Sequence, residues 1–491
     1  MRNSKLSEHT FKKGRFITPL NSLPMMQELE DEKSWTYGRM PEYIWIGLIL
    51  KYFGREEGLK KSYYIISKIH NVAPDLYTVR LSQILKLDTN IQEEIYEYII
   101  SLGVKDAISP LTIFLTDSQA PVFAKYFYSY KQGIEDRCKA IVETMSEIMD
   151  HQSNEATDIR FVAVYFNLLS GKMHILKEQV NLLISYPVSK HIDEIMRMAR
   201  PTVRSLEMMI LTFENTDSEY LKGFWRCVSE MTECDIFVIN FPEENRSITA
   251  YMESLHEVFV YLSELLIASN MLDEKMNVLL GIATYSYKRL KEIYRHQLFN
   301  SISGRSCVRV LIEDYIMMKY LMKNEAFHEN IWRDYQLYGM GLYKLVLARR
   351  RESDCLEESH FDEKYIEALV NEFKGEEFIN MDTRYFDKQN IRSKAESVNE
   401  KSLFGLYYDY DSSFEHGLWG AIRESSLLKC NNPAHKYHCV PDIEDEIVLK
   451  TVLPDCVMIM NKTILFLNEL YGIPEQLLNE VINYELKLII K

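Results

Sequence analysis

Residues 406–425 read LYYDYDSSFEHGLWGAIRES, and the spacing of their polar side chains is helical. Tyr408, Ser412, His416 and Arg423 follow one another in steps of four, four and seven. Such steps return to one face of an α-helix, where residues three and four apart are neighbours. A packing face would carry Leu or Val there. A row of phenol, hydroxyl, imidazole and guanidinium offers hydrogen bonds, a proton carrier and an anion holder instead.

Helical periodicity extends outward from this stretch over most of the chain. Gly (18) and Pro (13) are scarce among 491 residues, which favours long helices over a turn-rich β-fold. The pattern predicts helices over 41–54, 56–70, 75–87, 90–102, 118–130, 134–150, 156–171, 174–185, 189–214 and 217–231. Pro201 should kink or divide the 189–214 stretch, since proline removes a helical hydrogen bond. Further helices are expected over 273–299, 302–323, 326–351, 361–374, 390–398, 400–429, 443–470 and 474–488, with Pro454 bending the 443–470 helix. Between the two sets, CDIFVINFPEENRS (234–247) breaks the period, and Ile236 to Ile239 reads as a short strand or buried connector. Ser247 then reads as an N-cap ahead of a core stripe of Met252, Leu255, Phe259, Leu262 and Leu266. The expectation is an all-α protein with an irregular lead-in (1–36), an N-terminal helical domain (37–245) and a C-terminal helical domain (246–491).

The 302–323 helix carries a second polar stripe, Arg305, Arg309, Glu313 and Tyr320, beside an apolar face of Val308, Leu311, Tyr315, Met318 and Met322. It can pack by the apolar side and direct the stripe at the core margin. Arg309–Glu313 reads either as a solvated i,i+4 pair or as half of a site completed by the 400–429 stripe. On that later helix Gly417 and Gly420 flank His416 and Trp419, and each glycine costs about 1 kcal/mol relative to Ala inside a helix. The expectation is that another helix or a ligand approaches their backbone.

The next segment, CNNPAHKYHC (430–439), offers Cys430, His435, His438 and Cys439 as a compact set of zinc ligands, although not with common zinc-finger spacing. The other reading is a proline-centred loop whose rings pack or hydrogen-bond. Arg349, Arg350 and Arg351 end a helix, and answer its dipole or form a phosphate-binding patch. Asp442, Glu444, Asp445 and Glu446 read as the acidic start of a helix.

Net charge is −15, from 57 basic and 72 acidic residues, which argues against a broad nucleic-acid-coating surface but not against a small basic cleft. Eight dispersed cysteines read as reduced thiols. The longest apolar run, Tyr43 to Leu50, is too short to span a membrane, and the basic N-terminus has no apolar signal region, so a cytoplasmic protein is expected. Walker, GxGxxG, HExxH and GxSxG patterns are absent, which disfavours nucleotide motors, nicotinamide dehydrogenases, common zinc proteases and α/β-hydrolases.

Arg309-x-x-x-Glu313 followed by Tyr408-x-x-x-Ser412-x-x-x-His416-Gly417 resembles a bacterial group known as domain of unknown function 5677. HGLWGAIRES and CNNPAHKYH look like the continuation found in some of its members, so the resemblance covers roughly 250–440. That arrangement is in turn similar to the HEPN superfamily of helical bundles, many of them ribonucleases of toxin, phage-defence and CRISPR systems. Their motif is an Arg followed about four to six residues later by a His, and two such helices usually meet across a dimer. This chain departs from the pattern, with Ser at 412 and no Arg between Ser402 and His416.

The resemblance implies a HEPN-like RNA-cleaving effector in which His416 acts as general acid/base and Arg309 and Arg423 neutralise phosphorane charge. Ser412 and Tyr408 would position phosphate or water, and Glu313 would orient Arg309. RNA and a second copy of the chain are the implied partners, a protein partner would meet the N-terminal region, and no cofactor is expected apart from the zinc just described. A non-catalytic helical sensor or scaffold, binding a nucleotide, nucleic acid or protein through the same residues, is the alternative.

Overall fold

The computed structural model describes residues 5–19, 34–210, 217–239, 241, 248–268, 273–352, 360–381 and 386–484. The protein is all-α, with multiple helices and only small sheets. It divides into two compact units: residues 1–237 with 429–440, and residues 238–428 with 441–491. The chain therefore leaves the first unit, builds most of the second, and returns for a dozen residues. The boundary expected near 245 and the N-cap expected at Ser247 lie outside the described residues.

The first unit is organised around the helix Met40–Phe53 (MPEYIWIGLILKYF), buried from Met40 through Ile49. A helix apolar on every side belongs in an interior. It packs against Arg55–Val72, Ile134–Ile148 and Asn154–Leu169, and the last of these also meets Met196–Ile210. Glu42, fully buried on the central helix, accepts from the Ser82 backbone at 2.9 Å and from its hydroxyl at 2.7 Å. A π-helical turn, Trp35–Arg39, leads into the central helix. There Arg39 and Arg160 lie against the Trp35 ring and share the buried carboxylate of Glu207. Pro201 neither stops nor divides Met196–Ile210, which runs through it. Of the lead-in expected to be irregular, residues 10–17 form a short hairpin, Thr10–Lys12 paired with Arg15–Ile17.

The second unit is built on Ile302–Asn324, which packs against Glu274–Arg295, Leu453–Tyr471 and Asp409–Glu415. Close approach at its start depends on Gly304, where a Cβ would sit 2.6 Å from the Leu298 carbonyl oxygen. Met252, Leu255, Phe259 and Leu262 are buried as the stripe requires.

Three expectations are corrected. The 400–429 stretch is not one helix: a helical run ends at Glu415, His416–Leu418 forms a turn, Trp419–Ser425 is a separate helix, and Leu427–Cys430 is a strand. Pro454 does not bend a helix over 443–470, because the helix begins at Leu453 and proline occupies its first turn, where no donor is lost. The acidic cluster therefore starts no helix. Asp442 instead folds its own segment, its two carboxylate oxygens accepting from the Glu446 and Ile447 backbone at 3.0 and 2.9 Å.

Candidate functional site

In the second unit, Arg309 and Glu313 meet Tyr408 and Ser412. Arg309 Nε donates to Ser412 Oγ at 3.1 Å, and its Nη2 donates to the Tyr408 hydroxyl at 3.1 Å. The same Nη2 lies 3.5 Å from Glu313 Oε2, to which Tyr408 donates at 3.2 Å. The guanidinium carbon stands 5.1 Å from the centre of the Tyr408 ring. Burial and Glu313 raise the Tyr408 pKa while Arg309 opposes them, so the phenol stays a neutral donor.

Local backbone explains the geometry. Phe404–Tyr408 is a π-helical turn continuing into the α-helical Asp409–Glu415. Phe404 and Tyr408 stack at 4.6 Å, which fixes the phenol toward the long helix. The two helices run antiparallel, since Ser306 bonds Glu415, Arg309 bonds Ser412, and Glu313 accepts from Tyr408.

His416 caps this short helix, one turn beyond Ser412, and is exposed. Among the described residues its ring makes no hydrogen bond or ion pair. Gly417 follows with φ +56°, and Leu418 N–H closes on the Ser413 carbonyl at 2.9 Å, a left-handed helix stop. Among the described residues a Cβ at Gly417 or Gly420 would meet nothing within 4 Å, so no neighbouring helix makes the close approach expected there. Gly417 serves the turn. Trp419, 70% exposed, stands three residues from His416.

Arg423 lies beyond the turn, and its Nη1 donates to the Leu427 carbonyl at 2.7 Å. The break at His416–Leu418 takes it off the face it was expected to share. Arg305 and Tyr320, the ends of the other stripe, are buried apart from the cluster. Arg305 donates to the Lys450 carbonyl at 2.8 Å, and Tyr320 lies under the Lys394 ammonium. Arg351 spans Glu363, Glu367 and Glu376, so that cation is spent on the protein's own carboxylates.

Sequence reading missed Asp411, buried on the same short helix. Burial pushes its carboxyl up to about 7, against the pull of Arg305, and Asp455 and Glu424 add repulsion. Its position between Tyr408 and Phe414, at steps of three, was a readable sign of a buried face.

The first unit holds a separate group. Cys234, Cys430, His435 and His438 bring one donor atom each within 4.8 Å of one another, an arrangement able to hold a metal ion. Cys439, expected as the fourth ligand, is not in the group. It belongs to the strand Cys439–Pro441, and its place is taken by Cys234 from a segment some two hundred residues earlier. No spacing in 430–439 could have indicated that thiol.

Residues 276–435 match DUF5677, a family of unknown function. The DUF5677 match takes in Arg309, Glu313, Tyr408, Ser412 and His416, together with Cys430 and His435. No solved structure matches the chain. Among the described residues, no helix is long and apolar enough to cross a membrane.

Proposed function

We propose that the second unit is a HEPN-like, metal-independent RNA-cleaving effector of a bacterial defence or toxin system. One observation carries the reading: an exposed imidazole without a partner among the described residues, His416, sits one turn beyond a serine gripped by Arg309. Imidazole is the side chain most used as a general acid or base. In the reaction His416 accepts the proton of a ribose 2′-hydroxyl, and the 2′-oxygen attacks the adjacent phosphorus. The bond to the 5′-oxygen breaks, water protonates that oxygen while the imidazolium returns its proton to the hydroxide so formed, and a 2′,3′-cyclic phosphate and a 5′-hydroxyl result. Arg309 supplies positive charge beside the phosphorane, Glu313 and Tyr408 hold the guanidinium in place, and Ser412 offers its hydroxyl. Trp419 supplies a face on which an unpaired base can stack.

The test is incubation of labelled single-stranded RNA with the full chain in chelator. Cyclic-phosphate ends that vanish in His416→Ala support the proposal, as does relief by that substitution of growth arrest on expression. Wild-type protein that leaves RNA intact and cells growing defeats it.

A second reading has its own observation: two of the three nitrogens of Arg309 are already engaged by protein groups. On that reading the cluster is a polar clamp between helices, and the unit is a sensor or scaffold. RNA or nucleotide binding without cleavage selects it.

A further inference from the structure

We propose that Cys234, Cys430, His435 and His438 bind one zinc ion, which fastens the returning segment 429–440 into the first unit. The distances fit a tetrahedral centre. Cys234 Sγ lies 3.4 Å from His435 Nδ1 and 3.2 Å from His438 Nε2, and Cys430 Sγ lies 3.6 Å from His435 Nδ1. Zinc–sulfur bonds of about 2.3 Å and zinc–nitrogen bonds of about 2.0–2.1 Å at tetrahedral angles put sulfur and nitrogen about 3.5 Å apart. Plain hydrogen bonding explains the cluster less well. A thiol is a weak donor and a weak acceptor, which gives little reason to gather two of them around two imidazoles.

The far side of His435 fixes its chemistry. Nε2 lies 3.1 Å from the Ser229 carbonyl and 3.0 Å from the Thr232 carbonyl. Carbonyl oxygens only accept, so Nε2 carries the hydrogen and Nδ1 is the nitrogen directed toward the two sulfurs. Zinc-binding histidines are oriented by this kind of outer hydrogen bond.

Backbone holds the four donors in place. Ile236 pairs with Cys430, and the Asn431 N–H donates to the Asp235 carbonyl at 2.7 Å. Asn432 Nδ2 donates to the Glu233 carbonyl at 2.8 Å. Lys436 and Tyr437 both adopt left-handed φ, 54° and 52°, which folds His438 back beside His435. The Cys430 N–H then donates to the His438 carbonyl at 2.9 Å. Non-glycine residues occupy that region when their surroundings impose it, and here Lys436 is anchored over the Trp225 ring at 4.8 Å. Two sulfurs and two imidazoles suit zinc, and four protein ligands leave no open position, so the role is structural.

The full chain, purified without a histidine tag under reducing conditions, should contain one zinc per molecule by mass spectrometry of the metal. Replacement by cobalt should give tetrahedral d–d bands with thiolate charge transfer, a readout on the wild-type chain that needs no variant to fold. Cys234→Ser and His438→Ala should lose the ion, and Cys439→Ser should keep it. Chelation should raise amide exchange over 429–440. Wild-type protein without zinc or cobalt bands overturns the proposal. So does metal retained in Cys234→Ser but lost in Cys439→Ser, or exchange over 429–440 unchanged by chelation.

Discussion

Arg309 Nε donates to Ser412 Oγ at 3.1 Å, joining two helices whose contacting residues lie 103 positions apart. With Tyr408 and Glu313 it makes a closed network in which the guanidinium charge is shared by a phenol, a hydroxyl and a carboxylate. Hydrogen bonds to charged groups contribute about 1.5–3 kcal/mol each when well formed, and truncating one partner also strands the others. Arg309→Ala should therefore destabilise the second unit by roughly 2–3 kcal/mol. Arg309→Lys should recover less than half, because an ammonium cannot reproduce the fork. Urea titration with a spectroscopic probe in the second unit measures both; a loss indistinguishable from zero for Arg309→Ala would show the network to be slack.

His416 sits just outside that network, exposed and without a partner among the described residues. Its replacement by Ala should leave the melting curve unchanged, within the ±0.5 kcal/mol or so typical of surface sites. Any loss of RNA cleavage in that variant is then a loss of chemistry. A melting temperature lowered by several degrees would instead reveal a structural histidine.

Much of this was readable in the sequence, for a reason visible in particular residues. The stripe of Arg309 and Glu313 and that of Tyr408 and Ser412 announced themselves by helical period, and period is local. What period cannot report is a break made by backbone conformation. Gly417 turns left-handed at φ +56°, ends the helix, and separates Arg423 from the face that the count of seven assigned it. Nor can period report a partner that arrives from far along the chain. Cys234 joins Cys430, His435 and His438 through strand pairing near residue 236, while Cys439, the nearer thiol, leads into the next strand.

The glycines make a matched test. At Gly304 a Cβ would stand 2.6 Å from the Leu298 carbonyl oxygen and 3.0 Å from that of Phe299, both backbone atoms that cannot step aside. Gly304→Ala should cost about 1–3 kcal/mol, as overpacking does. Gly420 is open within 4 Å, so Gly420→Ala should be neutral or stabilising by up to about 1 kcal/mol, the helical preference of Ala. Thermal melts of the two variants should move in opposite directions or differ by several degrees; equal shifts would mean that the Ile302–Asn324 helix is not seated closely on the 298–299 turn.

Two acids, Asp411 buried and Asp314 half-buried, give the second unit a pH signature. Asp411 and Asp314 are each pushed up to about 7, chiefly by burial. A carboxyl whose folded pKa is raised binds its proton more tightly in the native state than in the unfolded chain. Its contribution is complete below the unfolded value and is lost as pH rises toward 7. Each acid then lowers stability with a slope of up to about 1.4 kcal/mol per pH unit across that window. Asp411→Asn should flatten the decline between about pH 4 and 7. Denaturant midpoints collected across that range decide it, and an unaltered slope would mean that Asp411 is ionised in the folded protein.

In the first unit the decisive charge is Glu207. It is buried with Arg39 and Arg160, two guanidinium groups that also flank Trp35, and among the described residues the Nε of neither arginine makes a hydrogen bond, Arg160 Nε standing 3.5 Å from the carboxylate. Burial pulls the Arg160 pKa down to about 10, with Arg39 and Arg204 adding repulsion and Glu207 opposing them. Glu207→Gln keeps the shape and removes the carboxylate that these two cations share. Stranding a buried charge costs about 3–5 kcal/mol, far more than an intact buried pair contributes over an apolar replacement. The single variant should therefore unfold at much lower urea. Removing a cation as well, in Glu207→Gln with Arg160→Met, should restore part of the loss because one unpaired charge is gone. If the double variant is less stable than the single one, Arg160 is held by its contact with the Trp35 ring and not by the carboxylate, and the charge argument fails.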